Sequence, residues 1–153
     1  MRLLTILSAV VLSGGMAMAQ VGFSAQQQTS GVIGITSGQS ARLNVVYPTV
    51  PAPILQVTCS ATLAIADEQG GVLKSKDVQQ LIAGRTVTLE LSGDADLGGS
   101  SRVQIHAVTL TPNPGCGLVS TLEIIETATG KTTAVLESKV TFPNPQPPAV
   151  KSN

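Results

Sequence analysis

The chain has 153 residues, of which 42% are apolar, 12% charged and 2% aromatic, and it carries no net formal charge. A single domain of ordinary apolar content is expected, not a disordered chain, which would be poorer in apolar residues and richer in net charge. Neutrality removes the basic footprint of a nucleic-acid binder, and the three aromatic residues are too few for single-strand stacking platforms.

The chain begins as an export signal. Arg2 supplies a short positive start, residues 3–12 are mostly apolar, Ser13-Gly14-Gly15 breaks a helix, and Ala17-Met18-Ala19 has the small-x-small pattern of a cleavage site. This layout predicts a signal peptide over residues 1–19, cut between Ala19 and Gln20. A ten-residue, mostly apolar stretch is about half of the roughly 20 residues that span a bilayer, so a membrane anchor is not the reading. The mature chain would keep 134 residues, with 8 Lys+Arg against 9 Asp+Glu, net −1, and no membrane attachment.

Residues 20–30, polar and containing Gln26-Gln27-Gln28, read as a flexible segment. Alternation of Val21, Phe23 and Ala25 keeps open a second reading, in which this end adds as a strand to a neighbour's sheet edge. A β-sandwich domain is then expected over residues 31–142, followed by a Pro-rich disordered tail over residues 143–153. Prolines fall in three clusters, at Pro48 to Pro53, at Pro112 and Pro114, and in the tail. Because proline cannot donate to a sheet ladder, these clusters mark loops.

Between them the apolar residues alternate. The clearest case is Leu55, Val57, Cys59, Ala61, Leu63 and Ile65, with Gln56, Thr58, Ser60 and Thr62 on the opposite face. This is a half-buried strand, turning at Asp67-Glu68-Gln69-Gly70-Gly71 into a hairpin partner over residues 72–78. Further strands are predicted over residues 32–36, 41–47, 86–92, 102–110, 118–126 and 132–142. Short strands with turn signals between them and no helical period predict an all-β antiparallel sandwich of about seven or eight strands, with a small barrel as the competing architecture.

Residues 35–45 and 81–91 repeat one local pattern, an apolar residue, a small-Gly turn, a hydroxyl residue and an alternating strand. Two copies are too few for a solenoid and read as two similar turns. The pattern resembles the turn-and-strand signature of immunoglobulin-like and fibronectin type III-like domains. Together with Cys59, Gly71-Val72-Leu73, Cys116 and Thr129-Gly130-Lys131-Thr132-Thr133, the arrangement is similar to small uncharacterised exported bacterial proteins of that kind. The resemblance implies a binding or structural module and transfers no catalytic residue. The chain departs from antibody-type domains in lacking Trp and in placing its one Tyr, Tyr47, away from the position two residues before a Cys.

Cys59 and Cys116 are the two cysteines, and in an exported chain one disulfide is the expected outcome. Candidates for chemistry are few. His106 is the single histidine, and alternation with Val103, Ile105 and Ala107 directs it to solvent, without a second His or a nucleophile motif. Asp94 and Asp96, in a Gly-flanked loop, are weak candidates for calcium, which needs six to eight oxygens; Asp67 and Glu68 would join only if the fold brings the turns together. Glu123 and Glu126 read as ordinary exposed strand residues, and Gly130-Lys131-Thr132 as a hairpin turn rather than a phosphate loop, since Ile125 occupies the required glycine position.

The expectation is therefore an exported module, periplasmic or extracellular, without cofactor or catalytic residues. It would bind another envelope or extracellular protein through sheet edges or the loops at residues 47–53, 93–101 and 111–117. The alternative is an extracytoplasmic small-ligand or calcium-binding protein.

Overall fold

A computed structural model describes residues 25–49, 58–99 and 101–141. The predicted signal peptide with its Ala19–Gln20 junction, Val21 and Phe23, the start of the long strand at Leu55 and Val57, and the Pro-rich tail lie outside the described residues.

Among the described residues ten strands form: β1 (Gln26–Thr29), β2 (Ile33–Ile35), β3 (Gln39–Val46), β4 (Cys59–Asp67), β5 (Val72–Leu81), β6 (Thr86–Ser92), β7 (Val103–Thr111), β8 (Val119–Glu126), β9 (Thr132–Glu137) and β10 (Lys139–Thr141). One sheet has the order β10-β1-β7-β4-β5, with β2 also on β7, and the other the order β6-β3-β8-β9. Every pairing is antiparallel. The protein is an all-β sandwich.

Period-two alternation sets which side chains are inside. Along β3, Ala41, Leu43 and Val45 are buried, while Arg42, Asn44 and Val46 face out and are half-buried. Leu43 lies between Leu89 of β6 and Leu122 of β8, and Ala41 between Leu91 and Ile124. From the facing sheet come Cys59, Ala61, Leu63 and Ile65 of β4 with Ile105 and Ala107 of β7. These aliphatic side chains make the core, as the composition requires of a chain nearly without aromatics.

Two strands depart from the sequence reading. Residues 20–30 were expected to be a flexible segment, yet Gln26–Thr29 within them is β1, hydrogen-bonded between β7 and β10 of its own sheet. Composition hides this strand because the three glutamines show no apolar alternation, while Gln26 and Gln28 are in fact buried beside Thr111 and Thr109. The strand predicted over residues 132–142 breaks at Ser138: β9 belongs to one sheet and β10 to the other. A strand that changes sheet in this way forms a corner, which closes one side of the sandwich.

The other side is closed by charge. β5 is an edge strand, and Lys74 and Lys76 pair with Ile65 and Leu63, so both lysines share the inward face. Lys74 reaches Asp96 at 2.8 Å, and Lys76 donates to the Thr88 carbonyl of β6 at 3.2 Å. Inward-pointing charge on an edge is a recognised obstacle to further strand addition.

A Cys59–Cys116 disulfide, Cα to Cα 5.9 Å, ties the start of β4 to the short 3-10 turn Pro114–Cys116 that leads into β8 of the opposite sheet. Both cysteines are buried. The staple crosses between the sheets.

Candidate interaction surface at the disulfide end

The topology sorts the loops into two ends of the sandwich with different chemistry. At one end lie the β2–β3 turn, the β4–β5 turn, the β6–β7 loop and the β8–β9 turn, which hold Asp67, Glu68, Asp94, Asp96 and Glu126. The fold thus brings these carboxylates to one end, but each is engaged within the chain. Asp94 accepts from the Ser37 hydroxyl at 2.6 Å and from the Gly38 amide at 3.1 Å. Those bonds hold its carboxyl below the usual carboxylate range, with the Ser37 hydroxyl the larger cause. Asp96 is lowered likewise, first by the hydrogen bond from Lys74 and then by the Ser92 amide at 2.7 Å.

Asp67 closes its own turn, accepting from the amides of Gln69 at 3.0 Å and Gly71 at 2.7 Å. Glu126 accepts from the Thr129 hydroxyl at 2.6 Å, and Glu68 from the Gln69 side chain at 2.8 Å. The β6–β7 loop sits tightly on the β2–β3 turn: the Gly93 amide donates to the Gln39 carbonyl at 2.8 Å, and a Cβ on Gly93 would run into the Thr36 carbonyl oxygen. Thr127 donates to the Gly38 carbonyl at 2.8 Å, so three loops interlock. Among the described residues, no three His, Cys, Asp or Glu side chains are placed to hold a metal ion together. This end is a clamp made of acids and turn amides.

The remaining sequence candidates are scattered. Glu123 lies on β8, opposite Arg42, whose guanidinium bonds Glu90 on the other side at 3.2 Å. Gly130-Lys131-Thr132 forms the predicted hairpin turn, with Gly130 at φ 67° and its amide donating to the Glu126 carbonyl. His106 was expected to face solvent. It does lie on the outer face, opposite Ala66, but it is half-buried and its Nδ1 is enclosed without a partner. The cause is its position on β7, which is flanked by strands on both sides and so shields its own outward residues.

The opposite end carries the disulfide and a different set of side chains. Here β3 ends at Val46, which pairs with Thr86 at the start of β6 and with Val119 at the start of β8. Tyr47 follows and packs its ring against the core. Its backbone is held by the turn joining β5 to β6: Gly84 donates to the Tyr47 carbonyl at 2.7 Å, and Arg85 closes the turn onto the Ile82 carbonyl at 3.0 Å. That turn presents Ile82 at 59% exposure and an exposed Arg85, and Val119 beside Val46 is 53% exposed.

Two of the three loops proposed for recognition, those beginning at Tyr47 and Thr111, therefore share this end, of which residues 50–53 lie outside the described residues; the third, from Gly93, belongs to the acidic clamp. Ile82, Arg85 and Val119 escape sequence reading because each is an ordinary residue at a strand boundary. Only the pairing of β3 with both β6 and β8, and the turn bonded to the Tyr47 backbone, bring them to one end.

Fold and surface together define a disulfide-stapled all-β sandwich with one clamped acidic end and one partly apolar end. No family model, curated protein or solved structure matches the chain. The buried disulfide points to a non-reducing, extracytoplasmic compartment, and among the described residues no helix is long and apolar enough to cross a membrane.

Proposed function

We propose that this chain is an exported, non-enzymatic module of a bacterial envelope, with a structural or adhesive role, that binds another protein through its disulfide end. The observation that carries this reading is the exposure of Ile82, Arg85 and Val119 together at one end of a cross-linked frame. Arg is among the residue types that most often dominate protein–protein contacts, and the exposed aliphatic side chains at the same end supply area to desolvate. Rigid backbone beneath them lowers the ordering cost of association. The acidic carboxylates at the far end are occupied in holding turns, which supports a scaffold role there.

Export through cleavage between Ala19 and Gln20 completes the proposal, and the intact mass of the protein recovered from the producing cell tests it. For the binding role, the oxidised protein serves as bait for an envelope extract beside an Ile82→Asp/Val119→Asp bait of verified fold. A partner held by the first and lost by the second supports the disulfide end as the contact. A partner held equally by both overturns that assignment, and recovery of only a small molecule overturns the protein-binding reading.

A further inference from the structure

Among the described residues, four buried polar side-chain atoms have no hydrogen-bond partner: Gln26 Oε1, Thr109 Oγ1, Ser138 Oγ and His106 Nδ1. The histidine stands apart on the outer face. The other three converge on one part of the interior, under β1 and beside the corner where β9 becomes β10.

The register places them there. Gln26 and Gln28 point inward from β1, opposite Thr111 and Thr109 of β7, and their exposures are 5% and 2%. Gln28 is satisfied across the sandwich, its amide donating to the Leu118 carbonyl and its oxygen accepting from the Ser120 hydroxyl at 2.7 Å. Thr111 is satisfied by donating to the Ser60 carbonyl at 2.9 Å. Ser138 extends the Leu122–Leu136 register by two residues, donating its amide to the Ser120 carbonyl at 3.0 Å, so it lies on the inward face next to the same serine. Gln26 is the diagonal neighbour of Thr109, yet neither its Oε1 nor the Thr109 hydroxyl has a hydrogen-bond partner. Three oxygens thus surround the completed Gln28–Ser120 pair without completing one another.

Leaving such groups dry inside a sandwich costs each of them its solvation, and native interiors rarely tolerate this. The chemistry selects the guest. Gln26 Oε1 accepts only, while the hydroxyls of Thr109 and Ser138 both donate and accept. An ion is disfavoured, because none of these groups is charged and a buried charge needs a partner. A molecule that donates to an amide oxygen and accepts from a hydroxyl, at the size left between paired strands, is water. Ordered interior waters commonly have two to four such partners.

We infer that the interior under β1 is a hydration site, in which at least one ordered water bridges Gln26 Oε1 and Thr109 Oγ1 within reach of Ser138. β1 is therefore docked through bridged polar groups, where β3 and β4 are docked by aliphatic packing. The role is separate from the proposed contact surface.

Magnetic relaxation dispersion of water nuclei on the oxidised protein counts waters held in the interior. The original chain and a Thr109→Ser variant, which keeps the hydroxyl, should hold the same number. Thr109→Val and the Gln26→Leu/Thr109→Val pair should each hold at least one fewer. Equal numbers in all four overturn the inference. If the paired variant does not fold, Thr109→Val decides by the same count, and a crystal structure gives an independent reading. Solvent density within hydrogen-bond reach of both side chains supports the site, and a direct Gln26–Thr109 bond without density overturns it.

Discussion

Asp94 and Asp96 show how single residues in this molecule were legible by type but not by role. Two carboxylates in a glycine-flanked loop suggested a cation, yet Ser37, Gly38, Lys74 and Ser92 occupy their oxygens, and none of those partners is near in sequence except Ser92. Since both folded-state pKa values lie below the ordinary value, the stability these groups contribute is full above the unfolded-state pKa of about 3.9 and is lost as pH falls through the lower folded values. Melting curves of the original chain and Asp96→Asn should therefore differ at neutral pH and converge in acid; a gap independent of pH would contradict the hydrogen-bond assignment. Gly93 is a second case. Its amide-to-carbonyl approach to the β2–β3 turn leaves no room for a methyl group, so Gly93→Ala should cost about 1–3 kcal/mol, read from urea unfolding midpoints.

At the scale of elements, alternation located β3, β4, β6, β7 and β8 with small boundary differences, because each buries one face against a sheet opposite. It missed β1, whose inward residues are amides, and it ran β9 and β10 together because the change of sheet at Ser138 leaves the apolar pattern intact. β5 carries a different lesson. Its lysines weaken the apolar pattern on the inward face, and the edge position explains why they are there. Lys76→Val should promote self-association on concentration, seen by light scattering, beyond that of Ser75→Val, which adds the same side chain on the outer face. Equal scattering by both variants would attribute the effect to added apolar surface and not to the edge.

For the whole molecule, the disulfide is the largest single constraint available to so aliphatic a core. It spans 57 residues of chain, and in the chain-entropy model a loop of that length stabilises the fold by on the order of 4 kcal/mol. Reduction under native conditions, or Cys59→Ala/Cys116→Ala, should lower the unfolding free energy by roughly that amount, as measured by urea titration with and without reductant. The same staple anchors the end that exposes Ile82, Arg85 and Val119, so its loss should also loosen the proposed contact surface more than the acidic clamp. Hydrogen exchange of the Ile82–Arg85 turn against the β6–β7 loop would show the difference.

What the sequence alone determined was the fold class, the aliphatic alternating core and the pairing of Cys59 with Cys116. Period-two burial and a count of two cysteines are local or compositional signals. The tertiary structure decided the rest: which sheet each strand joins, the inclusion of β1, the closure by Ser138 and by the inward lysines, and the division into two chemically distinct ends. Those depend on partners distant in sequence. The opening scarcity of aromatic and charged residues acquires a location there: most of the loop carboxylates hold one end of the sandwich together, and Tyr47 stands at the other.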